Sequence, residues 1–147
     1  LSLTTNCRYS TPFFLSTWIF SSSPSTDEIV IPERERFQST DDLYATVMHE
    51  LTHWTGHKSR LNRKKGTKFG DKDYAFEELV AELGSAFLMA DFGMVGEVQH
   101  ESYIASWLEV LKNDKRFIFK AASQASKAFT HLKEYVEGES ENQLKAA

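Results

Sequence analysis

Residues 44–57 read YATVMHELTHWTGH, and the fold turns on how this run is understood. It holds His49, His53 and His57 together with Glu50. Just upstream, Ser39 or Thr40 can act as an N-cap with Asp42 in the first turn, and Thr55-Gly56 supplies a stop. The spacing therefore predicts a helix over about 41–55. At 100° per residue, with His49 at 0°, His53 lies at about 40° and Glu50 at about 100°. Leu43, Val47, Leu51 and Trp54 fall between about 120° and 200°, so this helix packs on one side and presents its histidines on the other.

Two imidazoles on one helix face can share one ion. The HExxH pattern supplies what metal-assisted hydrolysis needs: two neutral imidazoles hold zinc, an open position holds water, and the neighbouring carboxylate takes the water's proton. His49 and His53 are read as zinc ligands and Glu50 as the catalytic base. The competing reading is a polar stripe on an ordinary surface helix. Shuffling the five His and fourteen Glu of this chain produces HExxH about once in sixty trials, so the motif needs a third ligand to carry weight.

Residues 73–93, DYAFEELVAELGSAFLMADFG, supply one. A second helix is predicted from about Asp73 to Asp91, ending near Gly93. With Leu79 at 0°, Phe76, Leu83, Phe87 and Ala90 span about 20° to 80°, and Ala81, Gly84 and Leu88 form another stripe at about 140° to 200°. Glu78 and Glu82, at about −100° and about −60°, lie between these two packed faces. Buried carboxylates require a charge partner. Glu78 is read as the third zinc ligand, and Glu82 as accepting a hydrogen bond from the far nitrogen of a ligating histidine. Glu77, at about 160°, is expected to point elsewhere. His57 would project within about 80° of His49 and offer a third imidazole to zinc if the helix continued, but the Gly56 stop argues against that, so it joins Tyr74 and Tyr103 as a candidate oxyanion or substrate contact. Trp54, Trp107 and the phenylalanines read as core, and His100 and His131 as surface or capping residues.

The remaining sequence sets bounds. A chain of 147 residues with 41% apolar and 26% charged positions suits one globular domain with its own core. The single cysteine, Cys7, excludes an internal disulfide, fits the reducing cytoplasm, and leaves zinc to histidine and carboxylate. PFFLSTWIF, 12–20, is too short to span a bilayer and lacks the features of a secretory signal, so no membrane is expected. FFLSTWIF and EIVIP, 28–32, read as two neighbouring strands separated by turn material, SSSPSTD. ESYIASWLEVLK, 101–112, reads as a third helix and Asp114 to about Val136 as a long fourth. Residues 1–22 are taken as an N-terminal strand segment of one domain that runs over 23–136, with 137–147 a fraying tail. The start at Leu1 rather than Met suggests a piece of a longer protein.

Between His57 and Lys72 there are seven Lys or Arg and one Asp, a local +6, so with a net charge of −4 the remainder carries −10. The loop 58–68 reads either as solvated surface or as a contact for a phosphate backbone or an acidic peptide.

SPSTDEIVIPERERFQSTDDLYATVMHELTHWTGHKSRLNR, followed by YAFEELVAELGSAFL and SYIASWLEVLKNDKRFIFKAASQASKA, resembles the zincin-like metallopeptidase domain of ArdC-type antirestriction proteins and plasmid primase-associated proteins. Three blocks match in order over about residues 23–130. The resemblance implies a gluzincin in which His49 and His53 are ligands, Glu50 is the base and a glutamate of EELVAE is the third ligand. Glu78 and Glu82 resemble the ligand and supporting glutamate of thermolysin-like enzymes. The family also implies a preceding DNA-binding domain, for which this chain has no room, and an antirestriction or mobile-element setting. The expected fold is α+β and zincin-like, a small N-terminal β-sheet on a helical bundle that carries the HExxH helix. The expected function is zinc-dependent peptide hydrolysis, with a protein or peptide as substrate. The alternative is a non-catalytic zinc module that contacts nucleic acid or a protein; a retained Glu50 argues against it, since a structural site has no use for a base.

Overall fold

A computed structural model describes residues 2–5, 21–23, 27–64, 72–94, 107, 111–112 and 114–146. Three short strands form one sheet: β1 (Ser2–Thr5), β2 (Ser21–Ser23) and β3 (Glu28–Ile31), in the order β1-β3-β2. β3 is central, parallel to β1 with Leu3 opposite Ile29, and antiparallel to β2 with Ser22 opposite Ile29.

The strand expected within EIVIP is present. Two other expectations need revision or fall elsewhere. Ser21–Ser23, expected as turn, is an edge strand, because ladder pairing uses backbone N–H and C=O groups and does not require apolar side chains. FFLSTWIF lies outside the described residues, and the parallel partner of β3 is instead the N-terminal Ser2–Thr5. Asp27 enters β3 from the left-handed region, φ 54°, which aspartate tolerates better than most residues.

The helices are α1 (Thr40–Thr55), α2 (Lys72–Asp91) and α3 (Arg116–Ala146). Ser39 caps α1, its Oγ accepting from the Asp42 N–H at 3.0 Å, and Asp41 and Asp42 favour the positive end of the helix. α3 continues past Val136, where a fraying tail was expected. Of the residues beyond Val136, Gly138 alone is a poor helix former, and one glycine costs only about 1 kcal/mol relative to alanine. Of the expected third helix, only Trp107, Leu111 and Lys112 are described; the Trp107 indole N–H donates to Ala75 O at 3.2 Å.

Ile29, Ile31, Ala45, Met48, Trp54, Leu88, Met89 and Leu132 form the core between the sheet and the helices. A second cluster joins Leu79 and Val80 of α2 to Ala121 and Ala125 of α3, where the small side chains let the two helices approach.

What positions the site is the crossing of α1 and α2. Gly84 of α2 faces Thr52 of α1, and a Cβ on Gly84 would stand 2.5 Å from Thr52 Cγ2 and 2.6 Å from its Oγ1. Thr52 is fully buried and donates to Met48 O at 2.8 Å. Next to it, the buried Ser85 hydroxyl donates across the interface to Ala45 O at 2.8 Å. Only a residue without a side chain fits at 84, and the contact brings the histidine face of α1 against the glutamates of α2. No helix among the described residues is long and apolar enough to cross a membrane.

Candidate metal centre

His49 and His53, one turn apart on α1, turn their Nε2 atoms toward each other at 3.1 Å. Glu78 of α2 closes the triangle, with Oε2 3.7 Å from His49 Nε2 and Oε1 3.5 Å from His53 Nε2. One donor atom from each of these three residues lies within 4.8 Å of the others. Donors about 2.0–2.1 Å from a tetrahedral ion stand about 3.3 Å from one another, and the nearest approaches here, with one Glu78 oxygen facing each histidine, are of that order. The donor chemistry fits as well: two imidazole nitrogens and a carboxylate oxygen suit zinc and other divalent first-row metals.

Each imidazole is held on its far side by a different glutamate. Glu82 Oε1 lies 3.1 Å from His49 Nδ1, at an angle poor for a hydrogen bond. Glu77 Oε1 lies 3.3 Å from His53 Nδ1. A carboxylate can only accept here, so His53 Nδ1 carries the proton and Nε2 is the nitrogen left for a metal.

Glu77 is the residue that sequence reasoning misplaced. It does not point away: it is 3% exposed, deeper than Glu78 at 8%. Its direction, about 160° from Leu79, was right, and it lies on the stripe with Ala81 and Gly84 that packs against α1. Glu77 and Glu78 differ by about 100° around α2, yet both reach His53, since the ring presents its two nitrogens on opposite edges. Arg63 was missed entirely. Its Nε and Nη2 donate to Glu77 at 3.0 and 2.7 Å, and both side chains are 4% exposed. The signal available was a carboxylate on a packed stripe, which needs a cation, and a basic loop close in sequence.

Electrostatics follow from this geometry. Burial opposes a charged His49, but the carboxylates of Glu78 and Glu82 close to its ring nitrogens, with the charge of Glu50, outweigh it, and its pKa is pushed up to about 10. Burial and the charge of His49 work against protonation of His53, while hydrogen bonds to Glu77 and Glu78 raise its pKa. Burial would raise both glutamates; His53 and Arg63 hold Glu77 below the usual carboxylate range, and His49 and His53 hold Glu78 well below it. The cluster attracts cations: without a metal it binds protons.

The other candidates are distributed differently. Glu50 is buried beside the ligand pair at 5% exposure, and no hydrogen bond to its carboxylate forms among the described residues. His57 is turned into the loop, with Nδ1 2.7 Å from Ser59 Oγ and accepting the Ser59 N–H at 3.3 Å, and it is not one of the three converging donors. Tyr74 is half-buried in the first turn of α2, one turn before Glu78. Tyr103 lies outside the described residues.

The basic loop is also less free than its charge suggests. Arg60 makes a two-pronged pair with Asp27 at 2.7 and 3.1 Å, donates to Trp54 O and stacks 3.8 Å over the Trp54 ring. With Arg63 buried on Glu77, Lys58 and Lys64 are the exposed lysines among the described part of the loop.

Residues 20–124 match the family described as zincin-like metallopeptidase. This chain belongs to that family. Two DNA primases TraC of Escherichia coli are 44% and 47% identical over 110 and 105 residues, covering 74% and 71% of this chain. An uncharacterized protein, y4eC, of Sinorhizobium fredii is 45% identical over 104 residues. Two crystal structures of the antirestriction protein ArdC from plasmid R388, one Mn(II)-bound and one metal-free, superpose with TM-scores of 0.72 and 0.70 at 42% and 43% identity over 90% of this chain. The chain spans 8% and 10% of the primases, 34% of y4eC, and just under half of ArdC, 46% and 45%. The α+β, zincin-like fold expected from the sequence is thereby established, with the helix that carries HExxH packed between the sheet and α2.

Proposed function

We propose that this domain is a zinc-dependent metallopeptidase, with His49, His53 and Glu78 as metal ligands and Glu50 as general base. The observation that carries the reading is the triangle of His49 Nε2, His53 Nε2 and Glu78 with Glu50 buried alongside. When bound there, a zinc ion acts as a Lewis acid toward a carbonyl oxygen and acidifies water.

The chain's own residues supply the rest. Glu77 and Glu82 orient the imidazoles, so that both Nε2 atoms face the same point. Glu50 adjoins His49 in sequence but projects about 100° away, so it can stand beside the ligands without joining them and take a proton from the attacking water on a carboxylate oxygen. Among the described residues β2 is an edge strand, and its backbone is the sheet edge on which an extended peptide would pair. The Mn(II) bound by the R388 relative supports a divalent ion at this site, and the donor set favours zinc under physiological supply. The primase and antirestriction names of the relatives support a nucleic-acid setting for the domain. Among the described residues of the loop, a direct nucleic-acid contact rests on Lys58 and Lys64 rather than on Arg60 and Arg63.

The test pairs wild type with Glu50→Gln. Both should carry about one zinc per chain, while fragments of a candidate protein substrate appear only with wild type and vanish with a chelator. Equal fragment patterns from the two proteins refute the peptidase reading and favour the non-catalytic zinc module.

A further inference from the structure

The guanidinium of Arg63 is buried with one carboxylate and two groups of the last turn of α1. Besides its two bonds to Glu77, Nη2 donates to Thr52 O at 2.6 Å and Nη1 to Thr55 Oγ1 at 2.7 Å. The chain brings Arg63 there by folding back after α1: Leu61 N–H donates to Thr55 O and Arg63 N–H to Gly56 O, each at 3.0 Å. Gly56 makes room for it. With φ −73° this glycine needs no special backbone freedom, but a Cβ would stand 2.9 Å from Arg63 Nη2 and 3.1 Å from its Cζ.

We propose that Arg63 is a positioning residue of the metal centre, acting through Glu77 to hold His53 with Nδ1 protonated and Nε2 facing the ion. The proposal rests on the metal-site reading given above. Glu77 is a flexible side chain with two equivalent oxygens, and its single bond to His53, 3.3 Å long, does not fix it. The planar fork of Arg63 does, because two parallel N–H donors define the plane and rotation of the carboxylate. Thr52 O and Thr55 Oγ1 in turn fix the fork to the same helical turn that carries His53. The loop after α1, though basic, is thus built inward as the support for one ligand, and its geometry reports on the metal centre.

Zinc affinity, measured by competition with a chromophoric chelator, tests this on the wild-type chain, Arg63→Gln, Arg63→Lys, Glu77→Gln, the Arg63→Gln/Glu77→Gln pair and Arg60→Gln. Supporting groups of this kind contribute about 10- to 100-fold in metal affinity. Arg63→Gln and Glu77→Gln should each weaken zinc binding by about that factor, and the pair by no more than the weaker-binding single variant, since the two act in series. Arg63→Lys keeps the charge but loses the fork, and should fall between wild type and Arg63→Gln. Arg60→Gln removes the other anchor of the same loop; it should lower resistance to urea without changing zinc affinity. If Arg63→Gln fails to fold, Glu77→Gln and Arg63→Lys carry the test alone. Wild-type affinity in Arg63→Gln or in Glu77→Gln overturns the proposal, as does a paired loss equal to the product of the single losses. A wild-type chain that binds no zinc overturns the metal-site reading itself.

Discussion

Gly84→Ala should loosen the metal centre from 84's position in the middle of α2, without altering any donor. The added methyl would lie 2.5 Å from Thr52 Cγ2, against about 3.5–4.0 Å for an ordinary carbon contact. Thr52 has no rotamer to escape to at low cost, because it is fully buried and its hydroxyl is bonded to Met48 O. Relief therefore separates α1 from α2 by about 1 Å, the shortfall from an ordinary contact. Overpacking of this kind costs about 1–3 kcal/mol, and alanine's better helix propensity returns about 1 kcal/mol, so net stability should fall by up to about 2 kcal/mol. The larger effect falls on the metal. His49 and His53 are on α1 and Glu78 is on α2, so the same displacement enters the donor triangle, and zinc affinity should fall by at least about tenfold, since sites tolerate only about 0.5 Å of error. Urea unfolding of the metal-free protein reads the first quantity and chelator competition the second. Adding Thr52→Ala to Gly84→Ala should restore part of the affinity by removing the opposing methyl. A Gly84→Ala protein that is more stable than wild type and binds zinc equally well would show that propensity alone matters at 84 and that the close approach does not set the site.

Three further outcomes are expected. Glu78→Ala should lose zinc in elemental analysis, while His57→Ala should keep it, since His57 is engaged with Ser59; metal loss from His57→Ala alone would reverse the assignment. In the metal-free protein the pKa of His49 is raised from 6.5 to about 10, so the stability that its protonation contributes is fully present below pH 6.5 and lost as pH rises toward 10. Zinc needs both rings deprotonated at Nε2, and His53 is raised as well, so zinc affinity should rise at least about tenfold per pH unit between pH 7 and 9, with at least about one proton released per ion in calorimetry; a flat profile contradicts the coupling. Ser39→Ala should cost about 1 kcal/mol of stability through the lost cap of α1 and leave zinc binding unchanged, measured by the same two assays.

How much of this was legible in the sequence depends on the range of the interaction. α1 and α2 were predicted nearly to their ends because caps, periodicity and stops act within a few residues, as Ser39 does on Asp42. The convergence of His49, His53 and Glu78 was readable as two helical faces, each locally defined. Glu77 defeated that reasoning: its angle was right, but whether a face near Gly84 meets solvent or another helix depends on packing that no local rule contains. Arg60 and Arg63 looked like surface charge for the same reason, since their partners Asp27 and Glu77 lie 33 and 14 residues away. A strand was expected within residues 1–22, but neither its place at Ser2–Thr5 nor β2 at Ser21–Ser23 was legible, because both are recruited by β3 through backbone pairing and not by their own apolar pattern.

The central claim, a catalytic centre made by His49, His53 and Glu78 with Glu50 as base, is tested most directly by a crystal structure of the zinc-loaded chain. One ion should be bound by His49 Nε2, His53 Nε2 and a Glu78 oxygen, with Glu50 alongside but not coordinated and the remaining position open to solvent. A fourth protein side chain closing the coordination sphere, or Glu50 among the ligands, would contradict it.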